Sequence, residues 1–194
     1  MKPHITIRFA FLSIIAYLSI SANLIQAQEF KLNNQESFLT VLGTSSLHDW
    51  HVIAEQQKGA INFTNLEACQ IDKLNIVVEA ESLKSGKSSM DKNTYKALKT
   101  ANYKTISFQL HEIKNTVDKG NNTYLITATG DLTIAGTKQR ITLDFTVNII
   151  ESKVKFTGEK KIKMTDFNIE PPKALLGTIT TGNEITIKFS TIFK

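Results

Sequence analysis

From about residue 36 onward the chain alternates apolar and polar residues, and this period of two limits its fold more than any other property. In "YLITATGDLTI" (124–134), Tyr124, Ile126, Ala128, Gly130, Leu132 and Ile134 share one face, while three threonines and Asp131 crowd the other beside Leu125. "ITLDFTV" (141–147) sets Ile141, Leu143, Phe145 and Val147 against Thr142, Asp144 and Thr146. "EITIKFSTIF" (184–193) aligns Ile185, Ile187, Phe189 and Phe193, and "KVKFTGEKKIKM" (153–164) aligns Val154, Phe156, Ile162 and Met164 around Gly158. Successive side chains of a strand point to opposite sides, so strict alternation marks half-buried antiparallel strands. Threonine, isoleucine and phenylalanine suit a pleated surface.

Turn-forming residues punctuate these runs. "AGTKQ" (135–139) is a short hairpin connection and "DKGNN" (118–122) a longer one. The pattern predicts about eight strands, near 37–45, 50–63, 71–80, 104–114, 123–134, 140–150, 153–165 and 184–193. Even spacing without strand–helix alternation points to an antiparallel barrel or a sandwich. One segment, "SSMDKNTYKALKTANY" (88–103), instead spaces Met90, Thr94, Ala97, Leu98 and Ala101 as a helix does. Ser88 and Asp91 fit a capping box at its start, giving a helix over about 88–101. The prolines of "EPPKALLG" (170–177) exclude a central strand there.

The first 27 residues read as a secretory signal peptide. Lys2 and Arg8 form a positive start, "FAFLSIIAYLSI" (9–20) is an uncharged apolar run, and small Ala27 closes the segment. The run is short for a membrane span, although an uncleaved anchor is the competing reading. Cleavage after Ala27 gives one domain, residues 28–194, in the periplasm or secreted. Loss of Lys2 and Arg8 lowers the formal charge from +5 to +3. The remaining charges are scattered, which argues against a nucleic-acid partner. Lys160, Lys161 and Lys163 form the densest basic patch, read as a solvated face with a weak attraction to anionic lipid headgroups left open. Cys69 is the single cysteine, so neither an internal disulfide nor a cysteine-based zinc site can form.

The order of elements and several phrases resemble the YceI-like family of bacterial secreted proteins. "GDLTIAGTKQRITL" (130–143) resembles that family's most characteristic hairpin. "SLKSGKSSMDKNTYKALKTANYKTISF" (82–108) resembles its helix and the strand that follows, and "TGNEITIKF" (181–189) its closing strand. The resemblance spans residues 36–194, with departures at Met90, where the family commonly has arginine, and Lys104, where it often has proline. It implies an all-β fold: an extended eight-stranded antiparallel, lipocalin-like barrel with one inserted helix. It also implies an apolar tunnel that holds a polyisoprenoid or isoprenoid quinone, without catalytic residues or a cofactor. Transient membrane-surface contact, and a monomer or homodimer, accompany that expectation.

Phe63, Ile76, Val78, Phe108, Leu132, Phe145, Phe156 and Phe189 lie on apolar faces and are the candidate tunnel lining. Periodicity alone fits a fully packed core equally well, and the resemblance tips the expectation toward a tunnel. "TSSLHDWHV" (44–52) gathers His48, Asp49, Trp50 and His51. His48 and His51 with His111 offer a metal-dependent enzyme as one alternative; a packed β interaction module without ligand is another. Strand alternation sends positions 48 and 51 to opposite faces, so the stretch is read as a corner with Trp50 at the barrel mouth.

Overall fold

The alternating runs all become strands in the computed structural model, which describes residues 28–194. The chain opens with β1 (Gln28–Lys31), β2 (Phe38–Ser45), β3 (Trp50–Ala54), β4 (Gln57–Asn65) and β5 (Gln70–Glu79). A two-residue β6 (Leu83–Lys84) leads into the helix α1 (Ser88–Leu98). Four long strands follow: β7 (Thr105–Asp118), β8 (Thr123–Ile134), β9 (Thr137–Ile150) and β10 (Lys153–Lys163). A 3-10 turn (Met164–Phe167), the short β11 (Lys173–Ala174) and β12 (Ile179–Phe193) complete the chain. The strands pair antiparallel in the order β1-β4-β5-β7-β8-β9-β10-β12-β2-β3-β6, with β11 added on β12.

The sheet curls on itself in the manner of a lipocalin-like barrel. Leu32 bridges Phe193, and Lys31 and Lys194 exchange backbone hydrogen bonds at 2.7 and 2.8 Å, tying the β1 edge back to the end of β12. Joining an edge in this way hides its unpaired backbone groups from other chains.

Among the described residues the strand count corrects the expected eight to twelve. The predicted 50–63 run divides at Glu55–Gln56, where the chain leaves its pairing with β2 and takes up pairing with β5. The three further strands, β1, β6 and β11, are short and set by neighbours rather than by their own pattern. β1 has a single buried residue, Phe30, whose ring meets Phe63 edge-on at 5.9 Å.

The helix also starts differently from the expected capping box. Lys87 occupies the N-cap without a side-chain bond, and Asp91 reaches back to the Ser85 N–H (2.8 Å) and hydroxyl (2.6 Å). Lys99 ends α1 in the left-handed region at φ 54°. Tyr95 fastens the helix to the barrel: its hydroxyl donates to the Glu81 carbonyl at 2.8 Å and accepts from Lys84 Nζ at 2.5 Å.

Apolar side chains fill one end of the barrel. Phe145, Phe156 and Phe193 contact one another in series, the first pair tilted and the second edge-on, with centroids 4.9 and 5.1 Å apart, among Ile61, Phe63, Val147 and Val154. A second cluster, including Ile162, Met164 and Phe167, packs around the other end beside Leu98. A third, around Val52, Val78 and Leu83, joins it beneath α1.

Candidate functional site

The clusters leave space between them. A cavity of about 420 Å³ runs from the clustered phenylalanines toward the end formed by the β2–β3 corner, α1 and the 164–179 connection. Seven expected lining residues stand on its wall: Ile76 and Val78 on β5, Phe108 on β7, Leu132 on β8, Phe145 on β9, Phe156 on β10 and Phe189 on β12. They meet there because each occupies the inward parity of its strand. Direct cross-strand pairs, Ile76 with Phe108 and Phe108 with Leu132, extend the surface around the barrel.

Phe63, also expected on the lining, stands apart from these seven. It shares the inward parity of β4 but lies deep in the closed end, covered by Phe30 of β1. Parity gives the face of a strand and says nothing about height along the barrel.

Trp50 stands on the cavity wall near the mouth. Its ring covers Gly43, where a Cβ would come within 2.1 Å of the indole, and its N–H donates to the Thr44 carbonyl at 2.9 Å. The adjoining corner is wound around Ser45, whose hydroxyl accepts from the Leu47 and His48 N–H groups at 3.2 and 3.1 Å and donates to the His48 carbonyl. His48 lies at the cavity rim with its ring 2.8 Å from the Asp49 carbonyl, whereas His51 is exposed on β3 opposite Leu42. His111 is exposed on β7. Among the described residues no three His, Cys, Asp or Glu side chains gather as a metal site.

Two other polar residues sit away from the cavity. Asp131 pairs with Arg140 across β8 and β9 at 2.5 Å, and that guanidinium holds its carboxyl below the usual carboxylate range. Cys69 is buried in the closed end, where desolvation pushes its thiol up to about 12 and leaves it uncharged at neutral pH.

The wall also includes residues absent from the sequence-based lining. Met90, Ala97 and Leu98 project from α1, so the helix roofs the cavity. Their helical spacing was visible in sequence, but which way that face turned was not. Lys160 is the larger surprise, because the basic patch it belongs to was expected to be solvated throughout. Buried Phe156 and Ile162 flank it on the same parity of β10, and Lys160 itself is half-buried on the cavity wall.

A YceI-like domain model matches residues 30–193. The chain belongs to the YceI-like family. Solved structures agree on the fold of this family member. BcnA of Burkholderia cenocepacia superposes with a TM-score of 0.69 at 20% identity, over 83% of this chain and 98% of that one. A polyisoprenoid binding domain from Saccharophagus degradans, implicated in plant cell wall breakdown, gives 0.68 at 14% identity, over 85% and 97%. A Campylobacter jejuni YceI protein gives 0.57 at 19% identity, over 71% and 80%. No curated protein matches this YceI-like chain.

Proposed function

We propose that this YceI-like protein is a non-enzymatic carrier that holds one long apolar chain, isoprenoid in class, in its barrel cavity. The observation that carries the reading is the cavity itself: about 420 Å³ of continuous space walled mostly by aliphatic and aromatic side chains. Ligand pockets of small molecules fall in this range and are predominantly apolar. A prenyl chain in such a slot gains roughly 0.8 kcal/mol for each buried methylene-sized group. The polyisoprenoid binding domain of Saccharophagus degradans shares the fold and supports the same class of ligand. A polyisoprenoid or an isoprenoid quinone satisfies the reading, which needs no catalytic residue and no cofactor.

The signal-peptide pattern of residues 1–27 lies outside the described residues and supports action in the periplasm or outside the cell. Transport, storage and scavenging all use the same binding step.

Native mass spectrometry of protein purified from its own host tests the proposal. The expected spectrum shows the mature chain with one bound lipid, whose fragments carry the prenyl repeat. Protein that emerges free of lipid and fails to take up a quinone or a prenyl alcohol in vitro would overturn it.

A further inference from the structure

Among the described residues, every charged residue on the cavity wall is a lysine. Lys87 and Lys173 lie toward the mouth and Lys160 lies inside, His48 adds a basic group at the rim, and no carboxylate lines the wall among the described residues. Lys160 is set into an otherwise apolar belt. It pairs across β10–β12 with Ile187, Ile187 pairs with Val41 of β2, and Val41 pairs with Val52 of β3. All four side chains face the cavity.

The neighbouring lysines find partners elsewhere. Lys161 approaches Glu184 at 3.8 Å, and Lys188 approaches Glu159 at 3.6 Å, both on the outer surface. Among the described residues Lys160 has neither an ion pair nor a side-chain hydrogen bond. It stands where the sheet loosens, because the β9–β10 ladder ends at Gly158 opposite Phe145. It also falls between the closed-end cluster that includes Phe156 and the upper cluster that includes Ile162.

This position constrains the ligand. In an empty cavity, water solvates the ammonium group, which sits on a flexible stem. A pure hydrocarbon filling the cavity would remove that water and return nothing, leaving a charge without a partner. A ligand bearing an anionic oxygen would replace the lost water with a charge-assisted hydrogen bond. Resting on the carrier function proposed above, we infer that the cavity selects an amphiphile whose anionic head group, a carboxylate or a phosphate, is held by Lys160.

Two pairs of probes, matched in chain and differing in head group, test this: palmitate against hexadecanol, and farnesyl phosphate against farnesol. Affinities are measured on the full mature chain and on Lys160→Met, Lys160→Arg and Lys161→Met. The wild-type protein is expected to prefer the acid over the alcohol by about tenfold or more in at least one pair. Preference in the first pair assigns a carboxylate, and in the second a phosphate. Lys160→Met should abolish the preference while still binding the alcohol, and Lys160→Arg should retain it. Lys161→Met removes the same charge from the outer face and should change nothing. Thermal midpoints confirm that each variant is folded. Equal preference in wild type and Lys160→Met, or loss of it in Lys161→Met as well, would overturn the assignment to Lys160. Failure of the wild type to bind any of the four would instead count against the carrier reading itself.

Discussion

Gln57 is buried with no partner for either polar atom of its side chain among the described residues. It is 5% exposed at the start of β4. Its backbone is well served, since Asn34 Oδ1 accepts from its N–H at 2.8 Å. The unpaired carboxamide faces inward across from Val78, a residue of the cavity wall. Burying such a group without a partner costs about 1–3 kcal/mol, whereas an apolar side chain of the same shape has no such penalty. Gln57→Met preserves length and flexibility and is expected to stabilise the fold by about 1 kcal/mol, a rise of roughly 2–4 °C in thermal midpoint for a chain of this size. A lower midpoint in the variant would show that the amide contributes an interaction the geometry does not contain. Lys160 has the opposite logic: it lies half-buried on the cavity wall, where an ammonium on a flexible stem can be solvated, so removing it is expected to change selectivity rather than folding.

At the scale of elements, most of the fold could be read from alternation because each long strand is half-buried and carries its own parity. The runs at 123–134, 140–150 and 153–165 fall on β8, β9 and β10 within a few residues. What could not be read depends on partners distant in sequence. β1 contributes one apolar residue, and β6 and β11 are two residues each, too short to show a period. The division of β3 from β4 reflects a change of neighbour at an unbroken apolar pattern. The same limit governed the site. Parity puts Phe63, Phe108 and Phe189 alike on inward faces without distinguishing the closed end from the cavity, and it turns Lys160 inward, which reading the basic patch as a unit conceals. Glycine at inward positions reports something alternation omits, namely a ring lying across the strand. At Gly130 a Cβ would stand 2.3 Å from Phe108 Cζ and 2.8 Å from the Gln109 carbonyl oxygen, so the β8 backbone and the β7 ring fit only without it. Gly130→Ala is expected to destabilise the fold by about 1–3 kcal/mol through overpacking. Adding Phe108→Leu should recover part of that loss, read from urea midpoints of the two variants. A Gly130→Ala protein as stable as the parent would mean the ring moves freely into the cavity.

For the molecule as a whole, the uneven filling of the barrel predicts uneven stability. The closed end is held by clustered phenylalanines and by the tie between β1 and β12, and its core residues Ile61, Val147 and Val154 are wholly buried. The mouth end rests on α1, which has no fully buried residue, and on the 170–179 connection, none of whose described side chains is buried; it follows the buried anchors Met164, Phe167 and Ile169, beside which Gln139 Nε2 donates to the Asp166 carbonyl at 2.7 Å. Segments with few buried apolar contacts open at lower free energy than the core they adjoin. A ligand that fills the cavity contacts α1 and this connection directly, and binding only the folded state stabilises it by mass action. At a concentration about 100 times its dissociation constant the gain is roughly 2.7 kcal/mol, or about 5–11 °C in thermal midpoint. The gain should be local as well as global. With whichever of the four probes binds most tightly, hydrogen exchange in the native state is expected to slow most in α1 and residues 170–179. The closed-end halves of β8, β9 and β10 should change least, since their buried core residues tie their opening to unfolding of the whole domain. If protection instead rises equally along every strand, or rises first in the closed end, the ligand does not occupy the space between the clusters, and the barrel binds by some other surface.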